Sequence, residues 1–91
     1  MLTETKLIQR LGGVEVNEGR KIDPEDITYI DSERVVNGGN IHYFVVDDYR
    51  YYGYNNVYVI SKDDELRSFG CNCRQYYSKG TCKHIAACIS L

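Results

Sequence analysis

Cys71–His84, which reads CNCRQYYSKGTCKH, places three of the chain's four cysteines and one of its two histidines within fourteen residues. Its skeleton is Cys71-x-Cys73, eight residues, then Cys82-x-His84. Three thiolates and an imidazole make a closed tetrahedral set of the kind that structural zinc takes. Local geometry permits it. Two apart at the end of a strand, Cys71 and Cys73 can project to the same side. Positions two apart in a regular helix diverge by roughly 200°, so Cys82 is expected in a non-helical entry, with His84 pointing back from the first helical turn. Thr81 as a cap and Gly80 before it suit that bend. A chain of 91 residues buries only a modest fraction of its surface, so a metal supplies stability that its core alone does not.

Two duller readings compete with a metal. The thiols can simply be packed in a core, as free cysteines often are, and a Cys71–Cys73 disulfide asks for geometry that residues two apart rarely have. The N-terminus, MLTETKLIQRLGG, has no basic region followed by an apolar block, so no signal peptide is read there. The longest apolar run, Ile85–Ile89, is far short of the roughly 20 residues of a membrane span. An intracellular setting without a membrane partner is therefore expected, cytoplasmic, or nuclear in a eukaryote. Cysteine clusters there hold metal more often than they form disulfides. Cys88 lies four residues after His84 on the same helix face, within reach of the site. Its apolar setting reads as that of a core thiol; a four-thiolate site that takes Cys88 and leaves out His84 is the competing arrangement.

The rest of the chain is read more coarsely. Thr3–Leu11 is expected to be helical, with Leu7, Ile8 and Leu11 on one face and Gly12-Gly13 ending the run. Val14-Glu15-Val16 alternates like a short strand. Asp23-Pro24-Glu25-Asp26 carries a cap, a first-turn proline and acids, so a helical turn or two is expected, with Ile27 and Ile30 packing inward. Arg34–Val36, a turn over Asn37–Asn40, and Ile41–Val46 read as a hairpin. Asn55–Ser61 is a further strand, Lys62–Glu65 a turn, and Leu66–Gly70 the returning strand. The ending CKHIAACISL favours a helix that starts near Thr81 or Cys82. The expectation is a single α+β domain over residues 1–91, with short antiparallel strands, an N-terminal helix and a C-terminal β-β-α zinc portion over 57–91.

That portion resembles the SWIM-type zinc finger, whose pattern is C-x-C, a variable gap, then C-x-H. The resemblance covers about Val57–Leu91, including the hairpin NVYVISKDDELRSFGCNC and the ending CKHIAAC. It implies a β-β-α zinc unit with Cys71, Cys73, Cys82 and His84 as ligands. Members of that family occur in chromatin-remodelling ATPases, transposases, recombination accessory proteins and a signalling kinase, where they are thought to bind DNA or proteins. Residues 1–56 carry no such resemblance, and no ATPase or transposase segment accompanies the finger.

A catalytic zinc keeps three protein ligands and an open position; four strong ligands leave none. Residues 66–91 contain no acid that serves as a general base, and no nucleophile–base pair or phosphate loop is present. One structural Zn2+ is expected, with neither an enzyme activity nor a small-molecule substrate. Asp47-Asp48 and Asp63–Glu65 read as solvated turn carboxylates, and His42 as an ordinary sheet residue. Charge divides unevenly: residues 66–91 carry four bases and no acid, whereas 1–65 carry seven bases and thirteen acids. A basic finger on an acidic chain steers towards phosphates. Arg67, Arg74, Lys79 and Lys83 are the candidate phosphate contacts, and Tyr76 and Tyr77, in the loop between ligand pairs, the candidate base-stacking residues. DNA is the nucleic acid the resemblance suggests. The bland reading is that Arg74 and Lys79 only offset the zinc–thiolate charge. Tyr49–Tyr54, reading YRYYGY, fits core, edge or interface use better than stacking. The rival function is an adaptor whose acidic, tyrosine-rich N-terminal part meets a protein partner or a second copy. An exposed apolar patch there favours the rival; a continuous positive patch around the finger favours nucleic acid.

Overall fold

The computed structural model describes residues 4–36, 38–48, 53–63 and 65–91, with side chains described from residue 8 onward. Helices α1 (Glu4–Leu11) and α2 (Gly13–Gly19) come first, then a single 3-10 turn over Pro24–Asp26. Four strands follow: β1 (Ile27–Arg34), β2 (Asn40–Asp48), β3 (Gly53–Lys62) and β4 (Glu65–Cys71). Helices α3 (Arg74–Lys79) and α4 (Lys83–Ile89) close the chain. The strands form an antiparallel meander in the order β1-β2-β3-β4. The α+β class, strand β2 and the β3–β4 hairpin are as the sequence predicts; the first hairpin forms, but its leading strand is Ile27–Arg34, with Val35 and Val36 beyond its end where the sequence reading put the strand.

Alternation sorts the strands into two faces, because successive side chains point opposite ways. Val46 on β2, Val57 and Val59 on β3, and Leu66 and Cys71 on β4 are buried together with Ile85, Ala86 and Cys88 of α4. Arg10 of α1 donates to the Leu66 carbonyl at 3.1 Å, and the Tyr76 hydroxyl of α3 to that of Phe69 at 3.4 Å. The helices thus gather over one face. The other presents Ile41, Tyr43 and Val45 of β2 beside Tyr54, Tyr58 and Ile60 of β3, all partly or wholly exposed. Tyr58 lies opposite Gly70 of β4, and a Cβ at Gly70 would overlap the Tyr58 ring.

Three local expectations are corrected. Val14–Val16 lies in helix α2, with Val14 exposed and Glu15, Val16 and Gly19 buried. Three alternating residues fit a helix face as well as a strand, and packing against α4 decides. At Gly19 a Cβ would come within 2.9 Å of the Lys83 carbonyl oxygen and 3.0 Å of the Ala86 Cβ, so the helices meet where no side chain intervenes. The Asp23 side chain caps the 3-10 turn by accepting from the Glu25 amide at 3.0 Å. That turn lasts three residues; Ile27 already begins β1, and Ile30 faces solvent. A bulge between Tyr29 and Asp31 shifts the register there, throwing Ile30 out of the alternation. Tyr76 and Tyr77 belong to helix α3, not a loop. Of the YRYYGY stretch, Tyr49–Tyr52 lies outside the described residues, and Gly53 and Tyr54 open β3.

Among the described residues, no helix is long and apolar enough to cross a membrane.

Candidate metal centre

Three elements deliver four donors to one point. Cys71 ends β4, opposite Val57. Asn72 extends that pairing by one residue: its amide donates to the Asn56 carbonyl at 3.3 Å, and its Oδ1 accepts from the Asn56 amide at 2.9 Å. Cys73 is the N-cap of α3, and its sulfur accepts from the Tyr76 amide at 3.4 Å. Gly80 closes α3 in the left-handed region at φ 78°, a conformation that glycine adopts without penalty. It turns the chain into Cys82, the extended N-cap of α4. The non-helical entry expected for Cys82 is therefore present, and His84 stands in the first turn.

The sulfurs of Cys71, Cys73 and Cys82 and a ring nitrogen of His84 all lie within 4.8 Å of one another, and all four residues are buried. His84 Nδ1 is 3.8 Å from Cys71 Sγ and 3.9 Å from Cys82 Sγ. In a tetrahedron with bonds near 2.3 Å to sulfur and 2.0–2.1 Å to nitrogen, that edge is about 3.6 Å. The described cluster can hold a metal ion with little rearrangement, and soft sulfur with imidazole suits zinc better than a hard cation. As bare groups the thiols hold their protons unequally. The Cys82 thiol donates to Cys71, which helps bring Cys71 down to about 4, and its own ionisation is driven upward by that same bond. Burial raises Cys73. A bound cation replaces such protons, so metal uptake releases them.

Cys88 is outside the cluster. It is buried on the sheet side of α4, where it helps line a groove of about 390 Å³ with Phe44, Val59 and Ile89. Burial pushes its thiol up to about 12. His42 stands at this groove between the Tyr29 hydroxyl at 3.1 Å and the Ser61 hydroxyl at 3.3 Å.

Asp48 is the residue that sequence reasoning missed. Read as a solvated turn carboxylate, it is instead the last residue of β2 and 4% exposed. Its Oδ2 accepts from His84 Nε2 at 3.0 Å and lies 3.4 Å from Lys83 Nζ. No local pattern announces this contact, since 36 residues separate Asp48 from His84. Lys83 is accordingly only 7% exposed, with its Nζ facing Asp48. Lys79 lies 3.6 Å from buried Glu15 of α2, and Arg67 lies 3.5 Å from Glu65. Arg74, Lys79 and Lys83 share a groove of about 610 Å³ with Cys73 and His84, whereas Arg67 lines a separate one with Gly39, Ile60 and Lys62. Tyr76 is half-buried and meets Tyr77 edge-on at 6.0 Å; Tyr77 is 75% exposed. The six residues named for nucleic-acid contact are thus brought together only in part.

Comparison with protein-family models, with curated proteins and with solved structures finds no match to this chain.

Proposed function

We propose that the chain is a zinc-stapled protein-docking module, with zinc closing its helical side and the open sheet face receiving a basic, apolar segment of a partner protein. The observation that carries the zinc half is the buried Cys71, Cys73, Cys82 and His84 set within 4.8 Å. Four donors complete a tetrahedral shell, so the ion's role is structural, as in a SWIM-type finger. Its binding free energy becomes folding free energy.

The docking half rests on what the sheet leaves uncovered. Ile41, Tyr43 and Val45 with Tyr54, Tyr58 and Ile60 make an apolar stripe two strands wide, and Tyr54 is 72% exposed. Asn56 interrupts the stripe opposite Val45, and exposed aromatic and aliphatic side chains grouped in this way favour an interaction site. Acids border it: Asp31 and Glu33 of β1 lie opposite Tyr43 and Ile41, and Asp47 at the end of β2 lies opposite Tyr54. At the far corner Lys62 and Arg67 stand near Glu65, with Arg67 paired to it. An amphipathic segment with an apolar face and Lys or Arg along one flank complements that pattern. The rim repels phosphate.

Nucleic acid is the second reading, favoured by Arg74 and Tyr77 exposed on the same short helix α3. Selection of random peptides displayed on phage against the zinc-loaded chain, with NMR shift mapping of the winners, tests the first reading. Enrichment of basic amphipathic sequences that shift Tyr54, Tyr58 and Val45, lost in Asp31→Lys/Glu33→Lys, is the expected result. Winners that are acidic, or that map to α3, sink it. Salt-sensitive binding of single- or double-stranded DNA that disappears in Arg74→Ala would support the nucleic-acid reading instead.

A further inference from the structure

We infer that Asp48 is the outer-sphere carboxylate of the metal centre, a positioning residue that holds His84 with Nδ1 turned to the three sulfurs. The inference rests on the zinc reading above and adds to it a residue from outside the finger portion.

A neutral imidazole carries one N–H and one lone pair. Asp48 Oδ2, 3.0 Å from Nε2, accepts from that nitrogen and fixes the proton there. The lone pair is then on Nδ1, the atom 3.8 Å and 3.9 Å from the Cys71 and Cys82 sulfurs. A carboxylate in this position fixes the tautomer and ring orientation of a ligating histidine. His84 and Asp48 are 1% and 4% exposed, so no solvent competes for the bond. The ligand is thereby aimed by β2, and zinc affinity depends on the sheet as well as on the cysteine loop. A buried carboxylate is costly without compensation, and Lys83 Nζ, 3.4 Å away, supplies a balancing charge.

The contrary view is that Asp48 serves only to neutralise Lys83. Full-length protein separates the two. Zinc affinity is measured by competition with a chromophoric chelator, and the ligand field by the visible absorption of the Co2+-substituted chain. Lys83→Met removes the ammonium, keeps the His84 contact and sets the reference zinc affinity and cobalt bands against which the second change is read. Asp48→Asn/Lys83→Met, which strands no buried charge, is expected to bind zinc about 10- to 100-fold more weakly than Lys83→Met. Its cobalt bands shift, and in the metal-free protein 15N NMR shows the His84 proton no longer confined to Nε2. Asp48→Glu is the second variant. It keeps a carboxylate for Lys83 but displaces it by a methylene, so a positioning role predicts weaker zinc and altered cobalt bands. Equal affinity and identical spectra in Lys83→Met and the double variant, or an unperturbed site in Asp48→Glu, overturn the inference. A wild-type chain that takes up neither ion overturns the zinc reading itself, which is a different failure.

Discussion

The two faces of the sheet are built from the same strands and nearly the same residue types, yet they end in opposite states. On β3, Asn55, Val57 and Val59 are buried while Tyr54, Asn56 and Tyr58, interleaved with them, are exposed. On β2, Val46 is fully buried and Val45, next to it, only partly so. Helix α4 and the metal donors close the first face. The second carries an aromatic stripe with an acidic rim, its Tyr54 and Tyr58 exposed. What separates them is not hydrophobicity but a cover, and under the proposed zinc reading that cover is pinned by Cys71, Cys73, Cys82 and His84. The comparison therefore predicts large effects on one face and small ones on the other.

The sharpest way to break it is to remove the pin. Cys82→Ser, or a strong chelator, withdraws a binding free energy on the order of 10–16 kcal/mol. Zinc content by atomic emission falls below one per chain, and amide exchange rises across α3, α4 and β4. Unchanged thermal stability after chelation would remove the metal from the account of the covered face.

Val46→Ala comes next. It empties part of a fully buried site, and denaturant melts should give a loss of about 2–3 kcal/mol. Gly19→Val tests the close approach of α2 to α4. Helix propensity alone favours the change, but the added atoms meet the Lys83 carbonyl and Ala86, so a net loss of about 1–3 kcal/mol is expected. A gain in stability would mean that α2 does not pack there.

Cys88→Ala leaves zinc at one per chain and costs about 1 kcal/mol for the small void. With its thiol pushed up to about 12 by burial, Cys88 resists alkylation at neutral pH until the chain unfolds. The sign of the linkage follows. An unfolded thiol ionises near 9.0 and the folded one near 12, so Cys88 lowers stability as pH rises through that window, and the alanine variant lacks this decline. Loss of the metal in Cys88→Ala would make Cys88 a ligand. Smallest of all is Tyr54→Ser, expected within about 0.5 kcal/mol of wild type in stability but strongly impaired in peptide binding. A variant as destabilised as Val46→Ala would show that the open face is not open.

By itself the sequence determined the donor set, the α+β class, strand β2, the β3–β4 hairpin and the final helix. Those features rest on residues a few positions apart: Cys71-x-Cys73 at a strand end, Cys82-x-His84 at a helix start, period-two runs over β2 and β3. Short-range geometry is enough for them. The tertiary structure decided the rest. Val14–Val16 became a helix because Val16 and Gly19 pack on α4, and three residues do not declare a period. Ile30 turned outward at a bulge that only pairing with β2 creates. Lys83, one of four acid-free cations in sequence, was drawn inward by Asp48, and Asp48 left the solvated class by meeting His84. A charge's environment is set by what folds against it, and here that partner comes from the far side of two strands.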